Sequence, residues 1–175
     1  LFTMGRDQLL ALVRLHQTAR LDTWPLVLVR HAHAVARGEW SGADPLRPLS
    51  AEGERRSAAL VPVLSAYGVS RVLTSPSERC LRTVEPFTDA AGVRLRTRTG
   101  LSEEGFEADP RTAPAHLGRL LDRGEPAVLC THGPVLPSLL DDLEGRLDLD
   151  QPASVEVIEE FAEARDDRLA KGEAL

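Results

Sequence analysis

The chain has 175 residues, 42% of them hydrophobic, and a formal net charge of −6. That length suits one domain with a single sizeable core. The acidic balance argues against non-specific binding to nucleic acid or an anionic membrane. Cys80 and Cys130, outside any C-x-x-C motif, are too few for a disulfide scaffold and fit reduced thiols in a cytoplasmic protein.

Residues Gly5–Arg20 read as a helix with Leu9, Leu10, Leu12 and Val13 on or near one face. Arg6, Asp7, Arg14 and Arg20 interrupt those leucines, which argues against a signal-peptide core. Leu26–Arg30 (LVLVR) is a short valine-rich run that fits a fully buried parallel strand. A Gly-, Pro- and Asp-rich loop follows over His33–Leu49. Ser50 has the position of an N-cap for a helix over Ala51–Tyr67, with Leu60, Val63, Leu64 and Tyr67 inward and Gly68 as the stop.

Arg71–Thr74 (RVLT) is a second buried strand, ended by Ser75-Pro76. Glu78–Ala91 forms the next helix, closed by Gly92. Val93–Arg98 alternates apolar and charged residues, as a half-exposed edge strand does. Gly100–Asp109 reads as an acidic loop, and Pro110–Leu121 as a helix with Ala113, Leu117, Leu120 and Leu121 inward. Ala127–Thr131 (AVLCT) is another buried strand, turned by Gly133-Pro134 into a helix carrying Val135, Leu136, Leu139, Leu140 and Leu143. A last helix is expected over Pro152–Leu169. Alternating strands and helices predict a three-layer α/β/α fold with a mainly parallel sheet. No stretch is long and apolar enough to span a bilayer.

In such sheets ligands sit beyond the carboxyl ends of the strands. Three buried strands here end in Arg30-His31, Thr74-Ser75 and Thr131-His132. Two histidines from distant parts of the chain therefore meet if the strands are neighbours. A neutral histidine can attack phosphorus, and arginines can match the charge of the transferred group without a metal. Arg79 stands one turn into the helix after Ser75-Pro76, where the helix terminus also favours anions. No carboxylate–histidine cluster has metal-ligand spacing, so neither metal nor cofactor is expected.

Four segments carry a resemblance. RHA (Arg30–Ala32), DPLRPLSAEG (Asp44–Gly53), SPSERCLRT (Ser75–Thr83) and CTHG (Cys130–Gly133) occur in this order. They resemble the signatures of the histidine phosphatase superfamily, the phosphoglycerate mutase-like fold, and especially its SixA-like phosphohistidine phosphatases. The resemblance implies that His31 is the nucleophile. It implies that Arg30, Arg79 and His132 surround the phosphoryl group, with Arg47 and Gly133 as further phosphate contacts. Leu101-Ser102-Glu103 is similar to the segment that places a glutamate acid in many members, which makes Glu103 the candidate acid and Glu104 the second.

LSEEGFEADP (Leu101–Pro110) with Lys171-Gly172 is similar to the histidine phosphatase half of actinobacterial MutT-type proteins, which carry a Nudix domain in front. The chain itself has no Nudix box. In that family the Lys-Gly pair precedes the last strand of the sheet, so a truncated last strand is expected. Residues 1–25 are then an N-terminal helix and linker, and residues 26–175 the phosphatase domain.

The expected activity is metal-independent phosphatase chemistry through a phosphohistidine. Its substrate is a phosphomonoester, a nucleotide or a phosphohistidine protein, with no nucleic acid polymer and no membrane as partner. The alternative is a non-catalytic phosphate-binding or interaction module partnered with a Nudix hydrolase. His33 matches no motif and is read as structural, as are His16 and His116.

Overall fold

A computed structural model of the chain describes residues 23–146, together with Leu9, Leu10, Val13, Arg14 and Gln17 upstream. Those five are helical, and Leu9, Leu10 and Val13 are exposed. The helix expected over Pro152–Leu169 and the Lys171-Gly172 pair lie outside the described residues.

Strands β1 (Leu26–Arg30), β2 (Arg71–Thr74), β3 (Leu95–Thr97) and β4 (Ala127–Thr131) form a parallel sheet in the order β1-β4-β2-β3. Helices α1 (Ala51–Ala66) and α2 (Glu78–Ala91) cover one face; α4 (Thr112–Leu121) and α5 (Leu136–Arg146) cover the other. The alternation of β4 makes this a three-layer molecule. Val128 and Cys130 point into a core with Leu64, Val72, Val84 and Phe87. Ala127 and Leu129 point the other way, among Leu101, Leu117, Leu120, Val135 and Leu139. All five residues of β4 are buried, since it has a neighbour on each side and a helix layer on each face.

β1 differs from its sequence reading. It pairs with β4 alone among the described residues, and only Val29 is fully buried. The inward residues of α1 also differ. Leu64 is buried, but Val63 and Tyr67 are 46% and 54% exposed. The buried line of α1 runs instead through Gly53, Ser57 and Leu64. Small Ser57 lets α1 approach α2 closely, and its hydroxyl donates to the carbonyls of Arg82 and Thr83 at 2.6 and 2.9 Å, whereas Gly53 makes room for the His33 carbonyl of the preceding loop.

Ser50 caps α1 as expected, accepting a hydrogen bond from the Gly53 amide at 3.1 Å. The segment expected as an acidic loop is ordered structure. A 3-10 turn over Thr99–Leu101 runs into a short helix, α3 (Glu103–Ala108), whose N-cap Ser102 accepts from the Gly105 amide at 3.0 Å. S-E-E-G is an N-cap followed by acids in the first turn, a start signal masked in the sequence by the shortness of the helix. An added Cβ at Gly105 would lie 2.0 Å from the Thr99 carbonyl oxygen. Only glycine permits this packing of α3 on the turn, and the packing aims Glu103.

The loop between β1 and α1 is pinned at its base. Ala34 and Leu49 form an antiparallel bridge, and the Ser50 amide donates to the His33 carbonyl at 2.9 Å. The loop thus closes on itself above the carboxyl ends of β1 and β4. Because α1 carries the chain from β1 past one strand position, β4 inserts between β1 and β2. That insertion is a topological switch point, where α/β sheets bind their ligands.

Candidate active site

Register places the candidate residues. Arg30 pairs with Thr131 across β1 and β4, so His31 and His132 follow at adjacent strand ends. Their rings pack edge to face with centroids 5.2 Å apart. The side chains lie at the end of a cleft of about 1190 Å³ lined by Arg30, Arg37, Arg47, Glu103 and Gly133. Arg79 and His132 do not line it; they are fully buried behind His31, in contact with its ring.

His31 Nδ1 is 2.8 Å from the Ala32 carbonyl oxygen. A carbonyl only accepts, so Nδ1 carries the proton and Nε2 keeps a lone pair. Arg79 Nε donates to that Nε2 at 3.3 Å. Burial, helped by His132, Arg79 and Arg30, brings the His31 ring down to about 4, against the opposing pull of the Ala32 carbonyl. The imidazole is neutral at pH 7, the state in which it can act as a nucleophile.

Arg79 reaches the site because α2 starts where β2 ends. Its Nη1 donates to the Asp44 carbonyl at 2.8 Å, and Nη2 lies 3.0 Å from both Asp44 Oδ2 and Glu103 Oε1. Glu103 Oε2 is 2.8 Å from Arg37 Nη2. Burial alone pushes the Glu103 carboxyl up, but His132, Arg79 and Arg37 outweigh it and hold it below the usual carboxylate range. Glu103 is therefore ionised here. Glu104, the second candidate, is exposed.

His132 Nε2 lies 2.9 Å from Ser75 Oγ and 3.4 Å from Cys80 Sγ. Its Nδ1 faces Glu103 Oε1 at 3.3 Å, within ion-pair distance but out of hydrogen-bond alignment. Among the described residues it is the buried side-chain nitrogen or oxygen without a hydrogen-bond partner. Burial on its own raises the Cys80 thiol; hydrogen bonds with Cys130 and His132 and the charge of Arg79 bring it down to about 6.

Arg30 lies beside the turn after β4, where an added Cβ at Gly133 would be 3.4 Å from its Nε. Arg47 is nearly buried and braces the loop. Its Nε donates to Asp44 Oδ1 and its Nη1 to the Val35 carbonyl, both at 2.8 Å. His33 Nδ1 bonds Ser50 Oγ at 2.9 Å at the cleft edge.

Sequence reasoning did not nominate Asp44, Arg37, Ser75, Cys80 or Thr83. Thr83 had a signal, being one turn beyond Arg79 on the same helix face. Its Oγ1 accepts from the Ala32 amide at 2.8 Å and donates to the Arg79 carbonyl at 2.7 Å. Asp44 and Arg37 had none, since the partners that bring them to the site, Arg79 and Glu103, lie 35 and 66 residues away in the chain. No three His, Cys, Asp or Glu side chains gather to hold a metal ion among the described residues.

A family model for the histidine phosphatase superfamily (branch 1) matches residues 26–116, more than half of the chain. The chain belongs to the histidine phosphatase superfamily. Its sheet and flanking helices are those of the phosphoglycerate mutase-like fold. A curated relative, the 8-oxo-(d)GTP phosphatase of Mycolicibacterium smegmatis, is 32% identical over 121 residues, which is 69% of this chain and 38% of that protein. The chain thus spans well under half the length of that relative. The protein histidine phosphatase SixA solved with tungstate is 26% identical, covering 66% of this chain and 73% of that one at a TM-score of 0.55. A mycobacterial glucosyl-3-phosphoglycerate phosphatase solved with VO3 shares the fold at 16% identity and a TM-score of 0.51, over 65% of this chain and 77% of that one. No helix among the described residues is long and apolar enough to cross a membrane.

Proposed function

We propose that this superfamily member is a phosphatase that works through a phosphohistidine on His31. The observation that carries the reading is the pair of ring nitrogens on His31, which lines the cleft, and His132, buried behind it. His31 Nε2 holds a lone pair in a neutral ring, and His132 Nδ1 is buried without a hydrogen-bond partner beside it.

Glu103 Oε1 stands between Arg79 Nη2 and His132 Nδ1. It supplies there the anionic oxygen that a phosphoryl group would bring. A bound phosphate would take over Arg79 and, with Arg30 and His132, have its equatorial oxygens matched by fixed donors in a largely dry site. Glu103 would then lose a cation and gain an anionic neighbour. Both changes raise its proton affinity, so the carboxylate becomes a carboxylic acid beside the leaving oxygen.

His31 Nε2 attacks phosphorus as the ester P–O bond breaks, and Glu103 delivers its proton to the departing alkoxide. Water then attacks the phosphohistidine, Glu103 takes its proton, inorganic phosphate leaves, and His31 is neutral again. The Nδ1 proton stays on the ring throughout, donated to the Ala32 carbonyl. Arginines and histidines supply all the charge matching in this scheme, so it calls for no metal.

A leaving alkoxide needs an acid more than a leaving imidazole does. Glu103 therefore favours an O-phosphate, either a phosphomonoester or a nucleotide, over a phosphohistidine protein. The named activity of the M. smegmatis relative points the same way.

The test is turnover of p-nitrophenyl phosphate in EDTA together with trapping of the enzyme in an alkaline detergent quench. The expected result is a base-stable, acid-labile phosphoenzyme that vanishes in His31→Ala, and inhibition by tungstate. Turnover in His31→Ala equal to wild type would sink the proposal. A panel of a nucleoside triphosphate, a sugar phosphate and a phosphohistidine peptide then ranks the substrate classes.

A further inference from the structure

Arginine supplies 20 of the 21 basic Lys and Arg side chains, with Lys171 the remaining one. Most described arginines are neutralised locally. Arg56 pairs with Glu52 in α1, Arg82 with Glu78 in α2, Arg111 with Asp109, and Arg146 with Asp142 in α5. Five depart from this habit. Arg94, Arg96, Arg98, Arg119 and Arg123 have no carboxylate within 4.0 Å among the described residues.

Four of these five line one groove of about 310 Å³ on the α4 face of the sheet, away from the cleft of His31. The placement follows from strand geometry. Val93 and Leu95 turn toward the α1–α2 core, so Arg96 and Arg98 turn to the opposite face. There they meet Arg119 and Arg123, which α4 and its end present from the other side. Leu73 and Leu120 form an apolar floor. Arg71 also reaches the groove, held by Glu125 at 2.5 Å, and Asp122 is the carboxylate in the lining.

Charged side chains on an edge strand commonly serve only to block strand pairing. That accounts for Arg94, Arg96 and Arg98. It does not account for Arg119 and Arg123, which sit on another element and converge on the same groove. Nor does it explain why the pairing used elsewhere is missing here.

We propose that this groove is a second anion site that takes a small ligand carrying a chain of phosphates. Guanidinium forks on two facing elements suit several phosphoryl groups better than one. The low-dielectric floor strengthens each contact. No Phe, Tyr or Trp lines the groove, which argues against stacked single-stranded nucleic acid. The volume is that of a small-molecule pocket.

His116 is a built-in reporter. Its ring lies at the groove edge, 3.3 Å from Arg119 Nη1. Burial, then Arg119 and Arg98, lower its proton affinity. A bound polyanion offsets those two cations and raises it.

The experiment follows the imidazole resonances of the five histidines during titration with inorganic tripolyphosphate. Saturable movement of His116 is expected, with its titration midpoint displaced upward. The exposed pair Arg96→Ser with Arg119→Ser should weaken this binding about tenfold or more, at a wild-type melting temperature and with wild-type turnover. A nucleoside triphosphate added to His31→Ala separates the sources. Equal affinity indicates a free polyphosphate, and tenfold tighter binding a nucleotide. A His116 response matched by sodium chloride at equal ionic strength overturns the proposal. So does unchanged binding in the double variant, or saturation by an acidic peptide alone.

Discussion

Thr83→Val is the substitution that asks most of the proposed mechanism, because Thr83 touches no reacting group. Valine keeps the volume and removes the hydroxyl. The Ala32 amide then loses its acceptor at 2.8 Å. The Arg79 carbonyl loses a donor at 2.7 Å but keeps its helical partner. Thr83 is buried, so the cost is that of one orphaned amide, about 1–3 kcal/mol of stability. The kinetic effect is separate. Ala32 also supplies the carbonyl that fixes the His31 tautomer, so a loosened residue 32 misaligns Nε2. Misplacement by about 1 Å costs on the order of 10²-fold in rate. Urea unfolding and kcat on p-nitrophenyl phosphate measure the two effects. Thr83→Ser, which restores the hydroxyl, should recover most of kcat. Wild-type kcat in the valine variant, or failure of serine to rescue, would refute the reasoning.

The other predictions concern charge and packing. Glu103→Gln should lower kcat on alkyl phosphates by about 10²–10⁴-fold and far less on p-nitrophenyl phosphate, whose leaving group needs little protonation; an equal loss on both would remove Glu103 as the acid. His31 should titrate near 4 rather than 6.5 in an NMR pH series, and a midpoint near 6.5 would contradict the neutral nucleophile. Because its folded value is depressed, His31 stabilises the fold fully above pH 6.5 and loses that contribution as pH falls from 6.5 through about 4; the loss, on the order of 3 kcal/mol, is read by urea unfolding across that window. Gly105→Ala drives a Cβ toward the Thr99 carbonyl oxygen at 2.0 Å, so α3 must shift. Stability should fall by about 1–3 kcal/mol, and alkyl phosphate turnover should fall more than p-nitrophenyl phosphate turnover, as Glu103 loses its aim.

Much of this molecule is legible in its amino-acid order because local physics and burial agree there. The valine-rich runs of β1 and β4, the Ser50 cap and the Gly92 stop each carry their own signal. The strand ends at His31 and His132 follow once the sheet is parallel. Other features depend on where distant segments land. That Val63 and Tyr67 face solvent was decided by the packing of α1 through Ser57 on α2 and through Gly53 on the loop at His33. The order of α3 came from its packing on the turn at Thr99. Asp44 and Arg37 enter the site only because the loop before α1 folds over the strand ends. The chemical types of the site — a histidine pair, arginines and a glutamate — were thus written in the sequence, since each stands at a local boundary. The ionised state of Glu103, the neutral His31 and the unpartnered His132 nitrogen were decided by tertiary structure, because burial and charge are properties of neighbours in space.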